Sequence, residues 1–232
     1  SYTSPACLKK FWNYNNSALS DYLKTKGFFV TENSQSNYDY TLFSIASTLN
    51  ACYLDEPAKS KMELFSKVFI LNELIKKNKT VTLLQQEGYT IHNLSPFEVS
   101  DQSKFYYYFS GVSYLIFNKT FAGAVRRDLL NRLSFEYEDL YFYCFPDQNT
   151  LKYNREIVNE IEKIPANNNA PNFTYAHFMM PHFPYFYDRN GKFTTKEKRY
   201  SAYAHQDTAG FLEQLIYTNS IIKSLVDSIL KK

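Results

Sequence analysis

Thr41, Ser44 and Ser47 are three hydroxyl residues at three-residue spacing, entered through a polar loop, Ser36-Asn-Tyr-Asp-Tyr40. On a helix that spacing puts them on nearly one face. A helix N-terminus carries unpaired N–H groups and the positive end of the macrodipole, so a loop-to-helix junction of this kind is a place to hold phosphate or sulfate. A free Thr alcohol barely ionises near neutrality, and Thr41 as a nucleophile needs a metal or a base to lower its pKa. The alternative is that Thr41 caps the helix and the serines are small packing residues.

A second stretch, Phe173-Thr-Tyr-Ala-His-Phe-Met-Met-Pro-His-Phe-Pro-Tyr-Phe-Tyr-Asp-Arg-Asn-Gly191, reads as a buried strand running out at Met180 into a proline-flanked loop that carries His182. Loops after strand ends are where α/β proteins place ligand groups. A His there could donate to an anionic oxygen or act as a general acid; otherwise it is a surface His in a proline turn. His177, inside the expected strand, reads as a core histidine. His177 and His182 are five residues apart on an extended segment and so make poor joint metal ligands. No G-x-G-x-x-G, P-loop, H-E-x-x-H or C-x-x-C pattern occurs.

Elements must position these groups. Leu8 to Leu23 has helical spacing and stops at Gly27, followed by a short strand, Phe28 to Thr31. Helices are expected over Thr41 to Asn50, Lys61 to Lys77 and Thr80 to Glu87, the last closed by Gly88, with a strand over Tyr89 to Leu94. Phe105 to Phe109 and Tyr114 to Phe117 fit strand or helix, Thr120 to Leu133 fits helix, and a long amphipathic helix starts at an Asp207 N-cap. Alternating helices and short apolar strands argue an α/β fold, layered helix/sheet/helix. The chain reads as one domain, 1–232, with Ala166 to Pro171 the best boundary if there is one.

The 232 residues carry 26 Lys and Arg against 23 Asp and Glu, a net charge of +3 with no clustered basic face, which argues against nucleic acid as a partner. Aromatics are 18% of the chain, from 21 Tyr, 20 Phe and 1 Trp, while Gly numbers only 6, so rings must do much of the packing and some could line a cleft. No apolar run approaches the roughly 20 residues of a spanning helix. The first residues show no signal peptide, and the absence of an initial Met suggests a processed or excised product. Cys7, Cys52 and Cys144 read as small hydrophobes rather than a disulfide framework. The N-x-[ST] patterns at Asn15, Asn78, Asn93, Asn118 and Asn172 read as incidental, consistent with a bacterial source.

Together the two segments resemble the alkaline phosphatase/sulfatase superfamily, in the sulfatase-like hydrolase/transferase branch related to lipoteichoic acid synthases and phosphoethanolamine transferases. Asn37-Tyr38-Asp39-Tyr40-Thr41 matches that branch's N-Y-x-x-T, and Leu42 to Asn50 matches L-x-S-[LI]-A-S-x-L-N. Phe178 to Gly191 matches an aromatic strand followed by P-H-x-P and F-x-x-x-G, and the last helix is similar to the family helix, with Gln214, Tyr217 and Asn219 at familiar places.

The resemblance implies Thr41 as nucleophile and metal ligand, and His182, Asn37 and Ser44 as substrate-binding residues. Ile45 stands where a sulfatase carries Arg, which points to phosphoryl transfer rather than to a true sulfatase. The family's paired metal site uses an early Asp and a late Asp-His segment, and no Asp-His dipeptide occurs here. The chain reads either as a fragment of a longer parent that carries the implied divalent metal (Zn, Mn, Mg or Ca), the favoured reading, or as a relative that has lost that metal. This chain is expected to hold none, to be a partial alkaline-phosphatase-like domain and to be inactive alone. The implied substrate is a phosphate or sulfate ester, on lipid or glycan, and the implied parent is membrane-anchored and extracytoplasmic. A different class of function is a non-catalytic module that uses exposed aromatics to bind glycans or lipids.

Overall fold

The computed structural model describes residues 2–31, 34, 36–55, 57, 60–101, 120–121, 125, 147–165, 170–195 and 207–231. Its main elements are α1 (Pro5–Trp12), α2 (Ser17–Thr25), α3 (Thr41–Asn50), α4 (Leu64–Lys76), α5 (Lys79–Gln86), β1 (Thr90–Leu94), α6 (Asp147–Lys163), β2 (Asn172–Ala176) and α7 (Thr208–Leu230). They divide into two compact units, one of Ser36–Phe178 and one of Ser1–Gln35 with Met179–Lys232.

In the first unit, α3, α4 and α5 enclose a core of Phe43, Ala46, Leu49, Leu71, Ile75 and Val81, with Leu54 and Val99 closing it. Each such side chain, once buried, contributes roughly 1.5–3 kcal/mol relative to exposure. The expected helices at 41–50, 61–77 and 80–87 are present, the second starting three residues later than its pattern. β1 and β2 pair in parallel, Thr90 opposite Asn172 through Leu94 opposite Ala176, which makes a small α/β arrangement. The ladder opens with the Thr90 N–H donating to the Pro171 carbonyl at 2.8 Å and closes with the His177 N–H donating to the Leu94 carbonyl at 3.2 Å. β2 therefore ends at Ala176 rather than Met180: β1 turns away after Leu94, and a strand cannot extend past its only partner among the described residues. The burial of β2 is partial along its length. α6 buries Tyr153, Ile157 and Ile161 at four-residue spacing, one helical face.

In the second unit, α1, α2 and α7 meet. The single opening helix expected from 8 to 23 is broken at Asn13, which adopts a left-handed φ of 50°. The Asn13-Tyr-Asn-Asn16 run explains the break, since Asn tolerates that conformation and terminates helices. Leu8, Phe211 and Leu215 form the core, with Trp12 and Tyr185 against it. Asp207 is the N-cap of α7 as its position predicts, accepting the Gly210 N–H at 2.9 Å. The expected strand at Phe28 to Thr31 is irregular, and Phe29 is 93% exposed. An apolar run becomes a strand only where a sheet edge receives it.

The expectations for 105–109, 114–117 and 120–133 lie outside the described residues apart from 120–121 and 125, as does Cys144. Cys7 and Cys52 are free thiols, and Cys52 is exposed rather than packed. Among the described residues no helix is long and apolar enough to cross a membrane.

Asn50 ties the first unit together. Its buried amide donates to the Ala46 carbonyl at 2.8 Å and the Leu74 carbonyl at 3.0 Å, and its oxygen accepts the Lys79 N–H at 3.1 Å. Asn50→Ala leaves buried backbone groups unpaired and is expected to cost about 2–3 kcal/mol in urea unfolding, against under about 0.5 kcal/mol for exposed Thr48→Ala.

Candidate functional site

α3 begins where the loop of residues 36–40 turns inward. Tyr38 fixes that loop: its ring lies 5.5 Å from that of Phe43, and its hydroxyl oxygen accepts the Leu54 N–H at 2.6 Å. The Ser36 and Ser44 hydroxyls both donate to the Tyr38 carbonyl, at 2.6 Å and 2.9 Å, filling its two lone pairs. Tyr40 is the N-cap, in extended conformation and with no side-chain bond to the helix. Thr41 is thus the first helical residue, not the cap that the pattern allowed.

The three hydroxyls run from surface to interior and do different work. Ser47 is buried and donates to the Cys52 carbonyl at 2.6 Å, sealing the far end of its own helix. Ser44 is half-buried and committed to the entry loop. Thr41 is exposed, and its hydroxyl has no hydrogen-bond partner among the described residues. The first backbone bond of α3 runs from the Ser44 N–H to the Tyr40 carbonyl at 3.1 Å, so the N–H groups of Thr41, Leu42 and Phe43 are open. Asn37, two residues before Asp39, is exposed in the same loop and also makes no hydrogen bond among the described residues. One free alcohol beside three free N–H donors is a constellation that can receive an anionic oxygen.

His182 lies in the other unit, exposed, in the turn that follows the cis Met180-Pro181 bond. Its Nδ1 sits 2.6 Å from the Phe183 carbonyl, which can only accept, so Nδ1 carries a proton. Its backbone N–H donates to the Met179 carbonyl at 2.8 Å. The loop then leans on α7. The fully buried Gln214 donates to the His182 and Pro184 carbonyls at 3.0 Å and 3.3 Å and accepts the Phe186 and Tyr187 N–H groups at 2.6 Å and 3.3 Å. Arg189 forks onto the Glu213 carboxylate, with Nε 2.9 Å and 3.1 Å from its two oxygens. Gly191 closes the turn at φ 79°, where an added Cβ would sit 2.5 Å from the Tyr217 ring.

Compared with family models, curated proteins and solved structures, the chain matches none.

The site residues named from sequence therefore fall into two groups. Thr41, Ser44 and Asn37 share the α3 entry, with Ser44 a brace rather than a free ligand group. His182 belongs to its own loop. Gln214, Tyr217 and Asn219 are structural in this fold: Gln214 pins the loop, Tyr217 covers Gly191, and Asn219 accepts from the Tyr2 hydroxyl at 2.7 Å and donates to Asn16 at 2.7 Å. For the divalent metal that the resemblance implies, Thr41 supplies at most one oxygen. Among the described residues no three His, Cys, Asp or Glu side chains lie together, so these donors do not fit a metal site by themselves.

Sequence reasoning missed the polar cluster at the carboxyl ends of the two strands. The Ser95 hydroxyl donates to the Asn93 amide oxygen at 2.6 Å, and that amide donates to the Phe97 carbonyl at 2.6 Å. The Tyr153 hydroxyl donates to the His177 carbonyl, and the His177 ring meets the Phe97 ring edge-on at 5.1 Å. The Asn93-x-Ser95 spacing after an apolar strand was the available signal for this turn. Burial pushes the Tyr175 phenol up to about 12 and raises Tyr153 further, with the neighbouring Tyr175 charge adding to it. Burial also lowers the His177 pKa below the usual histidine value.

Two outcomes follow. Gly191→Ala forces a Cβ into a left-handed turn and the Tyr217 ring, and should lower stability by about 2–4 kcal/mol in urea melts, with part of the loss returned by adding Tyr217→Ala. For His177 the unfolded state binds the proton more tightly than the folded one, so its contribution is full above the ordinary pKa and fades as pH falls below it. The urea midpoint should drop between about pH 7 and pH 5.5 in the wild type, and drop less in His177→Gln.

Proposed function

We infer that this chain binds the anionic ester group of a phosphate- or sulfate-ester substrate, phosphate being favoured by Ile45 in place of Arg. The chain is read as part of a sulfatase-like hydrolase or transferase. The observation that carries this is Thr41: of the three hydroxyls on its face, it alone is exposed and uncommitted, beside the open N–H groups of the first turn of α3. The resemblance of the Asn37 to Asn50 segment supports the same residue as nucleophile.

The α3 N–H groups would hold the non-bridging oxygens, with the helix dipole favouring their charge. The Thr41 Oγ1 would form the bond to phosphorus as the bond to the leaving alcohol breaks. The leaving oxygen takes up a proton, and the Thr ester is then opened by water or an acceptor alcohol. His182, on its own loop in the other unit, is a separate candidate for an anionic oxygen. Asn37 contributes a free carboxamide to the α3 entry, and Ser44 keeps that entry in shape. From the resemblance, turnover is proposed for a longer, extracytoplasmic and membrane-anchored parent carrying the divalent ion, and an alkaline-phosphatase-like layering belongs to the same proposal.

The glycan- or lipid-binding alternative has less support, because the rings near the two segments are largely engaged. Tyr38 and Phe43 pack together, and Phe183, Tyr185, Tyr187 and Phe193 contact one another or Phe186, Phe211 and Tyr217.

Titrating phenyl phosphate into the ¹⁵N-labelled chain should shift the amide resonances of Thr41, Leu42 and Phe43 first. Thr41→Ala should weaken that response, and in a metal-loaded parent it should bring ester cleavage down to background. Shifts confined to other regions, or undiminished cleavage by the variant, would refute the assignment.

A further inference from the structure

Gln214 bonds both arms of the His182 loop, and its four bonds have a directional consequence. Its two N–H donors hold the carbonyls of His182 and Pro184, while its oxygen holds the N–H groups of Phe186 and Tyr187. The amide's two N–H donors and its acceptor oxygen are thus spent on one six-residue loop, 182–187. The His182 carbonyl is fixed on one side by Gln214, and the Phe183 carbonyl that receives Nδ1–H is the next along the chain. Fixing the first peptide limits where the second can point.

We propose that Gln214 is a positioning residue for His182: by clamping the backbone on both sides of Phe183, it holds Nδ1–H on the Phe183 carbonyl and leaves Nε2 of the exposed ring as the ligand-facing nitrogen, an acceptor in the neutral ring and, once protonated, a donor to an anionic oxygen. The assignment of that oxygen to a phosphate ester rests on the function proposed above; the clamp itself does not. Gln214 acts through the backbone and touches no substrate. Thr218, one turn on, donates its hydroxyl to the Gln214 carbonyl at 2.7 Å and holds α7 in register beneath the clamp. A hydrophobic replacement would leave the Phe186 N–H buried and unpaired, whereas Gln214→Glu keeps the acceptor and removes the two donors.

The test reads the His182 ring nitrogens by long-range ¹H–¹⁵N correlation in the full chain, for wild type, Gln214→Glu and Gln214→Leu, with folding checked by the fluorescence of Trp12 against Phe211. The wild type should show a single Nδ1–H tautomer. A folded variant should show tautomer averaging, and inorganic phosphate should perturb His182 with a dissociation constant raised about fivefold, the worth of one net hydrogen bond. An unchanged tautomer in a folded variant overturns the proposal. If both variants unfold, a scalar coupling across the hydrogen bond from the Gln214 amide to the His182 carbonyl in the wild type decides it: presence supports the clamp, and a freely rotating amide overturns it. A clamp-dependent tautomer with no response to phosphate supports the positioning role and refutes the anion.

Discussion

Where a buried chain leaves a helix or strand, its backbone N–H and C=O groups must find partners, and in this protein that pairing falls largely to side-chain carboxamides. The buried polar residues among those described include Asn16, Asn50, Asn78, Asn93, Asn154, Gln214 and Asn219, and no charged residue. A carboxamide carries both donors and acceptors, so one side chain can satisfy opposite ends of a turn without the desolvation cost of a charge. Asn78 shows the economy of this. It caps α5 by accepting the Val81 N–H at 2.8 Å while its amide closes α4 at the Ile75 carbonyl at 2.7 Å. Asn50 and Gln214 do the same over longer sequence separations. The loops that expose Thr41 and His182 are consequences of these joints, supplemented at the α3 entry by the hydroxyls of Tyr38, Ser36 and Ser44.

The aromatic excess acquires a related meaning. With few glycines the chain makes few tight crossings, and rings fill the wider gaps between elements. Tyr153 buries its ring, and Tyr153, Tyr38 and Tyr2 each use the phenol oxygen as a further backbone or amide partner. Part of the Tyr content is thus hydrogen-bonding content. Phe29 and Tyr53 are exposed outside the two loops considered for chemistry, whereas Tyr40, exposed beside Thr41, meets the Phe43 ring edge-on.

The helices were legible because their stripes are long and their ends are signalled: Asp207 before α7, Gly88 after α5, and the 64-68-71-75 stripe of α4. The strand pair was legible in position but not in length, because β2 stops where its partner turns, a tertiary limit that an apolar run does not encode. Phe28 to Thr31 failed for the converse reason, an apolar segment that joins no sheet edge among the described residues. The break at Asn13 was written in a run of Asn that helical spacing overrode. At the site, spacing correctly grouped Thr41, Ser44 and Ser47 but could not tell which hydroxyl stays free, since that depends on the Tyr38 and Cys52 carbonyls reaching two of them. Gln214 was visible as a residue on α7 and invisible as a clamp, because its partners lie some thirty positions away.

The central claim is that side-chain joints, rather than regular secondary structure, hold the loops rigid while leaving the first turn of α3 open to a ligand. Residue-resolved hydrogen exchange on the full chain tests it most directly. The account predicts strong protection of the Leu54, Lys79 and Phe186 amides, each of which donates to a side-chain oxygen, beside near-unprotected exchange at Thr41, Leu42 and Phe43. Free exchange at Leu54, Lys79 and Phe186, or protection of the α3 N-terminal amides in the absence of any ligand, would contradict it.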